Sequence, residues 1–230
     1  MWTPLFFAHV LVLGIATLFN FAFFAYLLTQ QHRTTGSRAI LFASTCITIY
    51  VALAAVFLFV PAPAVINSIP FFGVLVFTSF LLVALLAPNK PWTYLHTGLL
   101  VLGTIIAVLT GTPGIVYETI TPTPYGYAEL TFAPTAYILN IYFLGILIGT
   151  SITYYRRITS ARTPATRFLY WTLAISFLIY LLSVSVTTFI LPYFGIAHFA
   201  LLVLVLTTSI IIGTFAILYT QKFKKNNLII

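Results

Sequence analysis

Very few side chains in this chain can do chemistry. Its only acids are Glu118 and Glu129, on either side of the Pro-Thr-Pro-Tyr-Gly stretch 122–126. On two strands paired symmetrically about that stretch the carboxylates come close and repel, an arrangement suited to holding a cation or amine on a lid; two solvated loop charges is the plainer alternative. The four histidines, His9, His32, His96 and His198, fall near the ends of apolar runs, two on each side, too few for a metal-ligand set. His9 and His198 read either as interfacial residues with a wet edge or as polar contacts at the mouth of an outer pocket, and His96 as a hydrogen-bond partner for a neighbouring helix. Tyr137 and Asn140, three residues apart, share one helix face a turn below the acid-bearing segment, where a small molecule from outside would arrive. There is no glycine-rich phosphate loop, nucleophile elbow or catalytic carboxylate pair, so no enzyme, metal or cofactor is expected.

The ten bases follow a different pattern. Arg33, Arg38, Lys90, Arg156, Arg157, Arg162, Arg167, Lys222, Lys224 and Lys225 all sit between or after apolar runs, and four of them crowd into YYRRITSARTPATR, 154–167. With 61% apolar and 5% charged residues the chain departs far from a soluble domain, where about 25% of residues are charged. It is expected to be an integral membrane protein, its bases acting as topology signals in short cytoplasmic loops and as contacts for anionic headgroups or a partner, not for nucleic acid.

The elements that position these residues follow from the need for about 20 apolar residues to cross a bilayer as helix. Seven runs qualify, near Leu5–Leu28, Ala39–Val60, Pro70–Leu86, Trp92–Thr110, Thr135–Tyr155, Phe168–Leu191 and Ala197–Tyr219. The start lacks the basic segment and cleavage site of a signal peptide, so the first run is expected to remain as a helix. PAPAVINSIP, 61–70, reads as a loop, and all twelve prolines fall at proposed ends or in loops. The longest connection, 112–133, reads as a β-hairpin with strands near Ile115–Ile120 and Tyr127–Phe132. Seven spans put every base on one side and both acids on the other, which sets the N-terminus outside and the C-terminus inside. The expected fold is an all-α seven-transmembrane helix bundle over residues 1–222, with an extracellular β-hairpin between helices four and five and a cytoplasmic tail at 223–230.

Inside the spans, small and polar residues suit helix packing. Gly145 and Gly149 form a GxxxG on span five, and Ser183, Ser185, Thr187, Thr207, Thr208, Ser209 and Thr214 can bond across helices six and seven. The single cysteine, Cys46, reads as a small buried apolar residue.

QQHRTTGSRAILF at the second span, YGYAELTFAPTAYIL before the fifth, YYRRITSARTPATRFLYW, and LPYFGIAHFALLVLVLTTSIIIGTFAILYTQKF at the end together resemble the N-terminal seven-helix sensor region of membrane histidine kinases. That resemblance implies a signal sensed at the outer side or within the membrane and passed inward by the last helix. Only residues 223–230 follow Lys222 and no histidine follows His198, so autokinase activity is not expected of the chain as given: either its output goes through a separate partner or it is a truncated part of a larger kinase.

Two functions stand beside each other. In the first, the chain is a stand-alone plasma-membrane sensor or receptor-like protein. It binds a small ligand at an outer pocket of Tyr137, Asn140, His9, His198, Glu118 and Glu129, and signals to a cytoplasmic protein through Arg156, Arg157, Arg162, Arg167, Lys222, Lys224 and Lys225. In the second, it is a non-catalytic accessory subunit whose partners are other membrane subunits and lipid.

Overall fold

The computed structural model describes residues 4–29, 34–60, 62–86, 90–122, 128–162 and 164–185. They form helices α1 (Pro4–Thr29), α2 (Thr35–Phe59), α3 (Pro63–Leu86) and α4 (Tyr94–Gly111), strands β1 (Tyr117–Pro122) and β2 (Ala128–Phe132), a 3-10 turn at Pro134–Ala136, and helices α5 (Tyr137–Thr159) and α6 (Pro164–Ser185). Three helices, α1, α3 and α6, open on a proline, whose fixed φ suits a first turn and whose missing N–H costs nothing there.

Helices α1 to α5 each hold a stretch long and apolar enough to cross a membrane. Burial within these stretches reaches 67% in α3 but only 28% in α1, 22% in α4 and 17% in α5, so α3 is the central helix. The others turn large apolar side chains outward, among them Leu18, Ile105 and Ile141. Surfaces of this kind are stable against lipid, and helices satisfy their backbone hydrogen bonds without water. The chain is a mostly helical, membrane-embedded protein.

Two boundaries differ from expectation. The segment 61–70 is not a loop throughout: α3 begins at Pro63, which places Pro70 inside a helix. Pro70 lacks the N–H that would bond the carbonyl of Ile66, and close packing compensates, both residues being buried. α2 begins four residues before Ala39, because the Thr34 hydroxyl accepts from the Ser37 N–H at 3.1 Å while the Ser37 hydroxyl oxygen accepts from the Thr34 N–H at 3.3 Å.

The chain divides into two compact units, Met1–Thr150 and Ser151–Ile230, the division falling inside α5. In the first, α1 packs on α2, α2 on α3 and α3 on α4. Its core holds Leu13, Leu27, Ile47, Ile66, Leu82 and Leu86, and Cys46 is buried in α2. In the second, Tyr154 of α5 meets Phe177 of α6 with ring centroids 6.1 Å apart. The seventh expected span, the end of the sixth beyond Ser185, the tail, and with them Arg33, His32, His198, Lys222, Lys224 and Lys225 lie outside the described residues.

Candidate functional site

β1 and β2 pair antiparallel, Tyr117 opposite Phe132 and Thr121 opposite Glu129, with a bulge between Tyr117 and Thr119. The bulge absorbs Glu118. On the turn side of the bulge Glu129 stands opposite Thr121, three positions farther along β1 than Glu118, about 10 Å at about 3.4 Å per residue. A symmetric pairing would have set the two positions near each other; this register separates their backbones.

The base of this ribbon is tied down. The Ala133 N–H donates to the Val116 carbonyl at 2.9 Å, and the Thr135 hydroxyl to the Ile115 carbonyl. Gly114 supplies the reversal ahead of β1 at φ +83°, a conformation a side chain would strain. Tyr117 then packs on Phe57 at the end of α2 and Ile66 near the start of α3, with Val65 and Ile69 beside it. Burial there raises the Tyr117 phenol above its ordinary pKa, and the nearby Tyr50 adds to the effect, so the group stays protonated.

About one and a half turns into α5, at Tyr142, the helix is pinned to α3. The Thr78 hydroxyl donates its one hydrogen to the Val74 carbonyl at 2.7 Å, so the Tyr142 hydroxyl, 2.6 Å away, must donate to Thr78. Phe77 and Phe143 stack next to this bond with centroids 4.1 Å apart. From the other side α4 approaches Thr78 through Gly103, closely enough that no side chain fits between them. Three helices thus meet at one fully buried threonine.

The opposite end of α3 and α4 is held by short polar links. The Thr35 hydroxyl donates to the Lys90 carbonyl, joining the start of α2 to the turn before α4. His96 Nδ1 accepts the Thr93 N–H at 3.0 Å and so caps its own helix. A backbone N–H can only donate, so Nδ1 is the unprotonated nitrogen and Nε2 carries the hydrogen. Trp92 donates from Nε1 to the Thr97 hydroxyl at 2.8 Å.

In the second unit Arg156 and Arg157 occupy the last turn of α5, where they favour the negative end of the helix dipole. Arg157 hydrogen-bonds the buried Tyr170 phenol, and the Arg167 guanidinium reaches the Ala161 carbonyl at 3.5 Å.

The described members of the expected outer site face outward. Tyr137 is 70% exposed, and Asn140 and Glu118 are exposed as well. His9 lies on α1, and the backbone of Glu129 on β2. Among the described residues, no three His, Cys, Asp or Glu side chains gather as metal ligands would. Sequence reasoning passed over the interior polar groups: Asn20 of α1, which donates to the Ala16 carbonyl at 2.8 Å, Asn67 and Thr78 of α3, and Gly103 of α4. An asparagine amid an apolar helix was the available signal for Asn20; Asn67 was masked by reading 61–70 as a loop. Among the described residues neither glycine of the GxxxG makes a close approach: a Cβ at Gly145 would meet nothing within 4 Å and one at Gly149 only ordinary contact with Leu81.

Neither a scan against protein-family models nor a search of curated proteins finds a match for this chain.

Proposed function

We propose that this chain is a multi-pass plasma-membrane sensor of receptor type, with seven spans, N-terminus outside and C-terminus inside, whose fifth helix carries a signal from an extracellular hairpin to a cytoplasmic surface. One observation carries this reading. A single helix, α5, starts directly after the ribbon and the 3-10 turn whose Thr135 bonds the Ile115 carbonyl, and ends in Arg156 and Arg157. Between these ends its described hydrogen bond to α3 is the one from Tyr142 to Thr78. A hairpin that shifts on its seat would move the start of α5, and the Tyr142–Thr78 contact resists that movement. Tyr137, Asn140 and Glu118 are each turned outward, within reach of a small molecule arriving from outside. A ligand drives such a change only if it binds the two arrangements with different affinity.

A second reading, an accessory subunit of a larger membrane assembly, draws on the outward face of α5. There Asn140 and Gly145 are exposed among Ile141, Leu144 and Ile148, a face suited to another helix.

Affinity purification from the native membrane in mild detergent, followed by mass spectrometry, separates the two. Recovery alone or with a soluble signalling protein supports the sensor. Stoichiometric recovery with other integral proteins, lost on Gly145→Leu, would replace it with the subunit.

A further inference from the structure

We infer that the α5–α6 connection is a binding surface for anionic phospholipid headgroups. The inference rests on the chain being membrane-embedded and holds whichever of the two functions is correct.

Charge is the first ground. Arg156, Arg157, Arg162 and Arg167 fall within twelve residues, and the chain has no acid after Glu129, so nothing in its own sequence near the loop neutralises them. The use made of each arginine is the second. The carbonyls that end α5 are already occupied: the Ser160 hydroxyl donates to the Arg156 carbonyl at 2.7 Å and the Thr159 hydroxyl to the Tyr155 carbonyl at 3.0 Å. Arg157 is engaged with Tyr170 and Arg167 extends towards Ala161. Arg156 and Arg162 are exposed, and among the described residues their guanidinium groups have no hydrogen bond or ion pair. Neither guanidinium is needed to close a helix end.

The surroundings of the loop identify the occupant. Tyr155, Phe168 and Trp171 are exposed beside these arginines, Trp171 at 51%. Aromatic side chains with one polar edge settle at the headgroup level of a bilayer. A planar guanidinium pairs with phosphate oxygens through two parallel hydrogen bonds, which a zwitterionic headgroup offers at a net charge of zero and an anionic one at a net negative charge. Apolar helices, a belt of aromatics and unneutralised arginines in succession match the layering of a lipid leaflet rich in anionic phospholipid.

The test is native mass spectrometry of the full chain in detergent, titrated with phosphatidylglycerol or with phosphatidylcholine, beside the double variant Arg156→Gln/Arg162→Gln. Each arginine near a negatively charged surface contributes about a fivefold gain in binding, so the wild type should retain phosphatidylglycerol over phosphatidylcholine by about twentyfold or more. The double glutamine variant should lose most of that preference, and Arg156→Lys/Arg162→Lys should keep the larger part of it. Equal retention of both lipids by the wild type, or an unchanged preference in the glutamine variant with an unchanged melting temperature, overturns the inference. So does displacement of the lipid by millimolar inorganic phosphate, which would mark a soluble-anion site instead. If the glutamine variant does not fold, the lysine variant and the salt dependence of wild-type retention decide: retention that ignores added salt is incompatible with a charged surface of this kind.

Discussion

A methyl group placed on the α-carbon of Gly103 would collide with Oγ1 of Thr78, the oxygen that also receives the Tyr142 hydroxyl. Real Cβ contacts do not come this close, so α4 can approach α3 here only because position 103 has no side chain. Gly103→Ala should destabilise the bundle by about 1–3 kcal/mol, the usual cost of overpacking, and Gly103→Val by more. Thermal unfolding in detergent reads the effect. Thr78→Ala should recover part of the loss in a double-mutant cycle, because the two changes share one contact. Gly145→Ala is the control: open space surrounds that position, so its stability should hold.

Tyr142→Phe removes one interhelical hydrogen bond and leaves the ring contacts between Tyr142 and Phe143 in place. Such bonds average about 0.6 kcal/mol in membrane proteins, so a small loss of stability is expected. Hydrogen exchange should show the larger change, faster along the first half of α5 than along α2. Equal protection in wild type and variant would mean that the bond does not restrain α5.

The hairpin seat depends on an aromatic ring more than on its hydroxyl. Tyr117→Ala should release the ribbon at a cost of about 1–2 kcal/mol, somewhat below the value for burying a whole large side chain, because Tyr117 is only partly buried. Limited proteolysis should then cut within 112–133 at lower protease concentration. Tyr117→Phe should resemble the wild type.

His96 caps α4 by accepting a backbone N–H, a role that asparagine can copy and alanine cannot. His96→Ala should lose about 1 kcal/mol and expose the amides at the start of α4 to exchange, whereas His96→Asn should retain most of the protection.

Much of the helical framework was legible because lipid imposes one requirement, long apolar runs with bases between them, and that requirement shows in composition. The start of α1 at Pro4 and the end of α4 at Gly111 fall within a residue or so of the runs read from hydropathy. The start of α3 was hidden because Pro63 and Pro70 look alike in sequence, while only the first stands where a helix begins. The junction at Thr78 was hidden for another reason. Gly103, Gly145 and Gly149 are chemically identical, and which of them permits a close approach depends on how the helices are rotated, which hydropathy does not encode. Register was similarly silent: Thr121, not Glu118, stands opposite Glu129, and hydropathy does not encode that choice.

The relay through α5 is tested most directly by labelling its inner end. With Cys46→Ala removing the chain's only cysteine, a nitroxide at Ser160→Cys reports on the end of α5, and one at Gly98→Cys, where a side chain meets open space, reports on α4. Both are compared in lipid nanodiscs with the wild-type seat, with Tyr117→Phe and with Tyr117→Ala. A relay requires that Tyr117→Ala change the mobility or water accessibility at position 160, that Tyr117→Phe leave it alone, and that position 98 stay constant throughout. Unchanged spectra at position 160 after the hairpin has been released from its seat would contradict the relay and leave α5 a structural helix only.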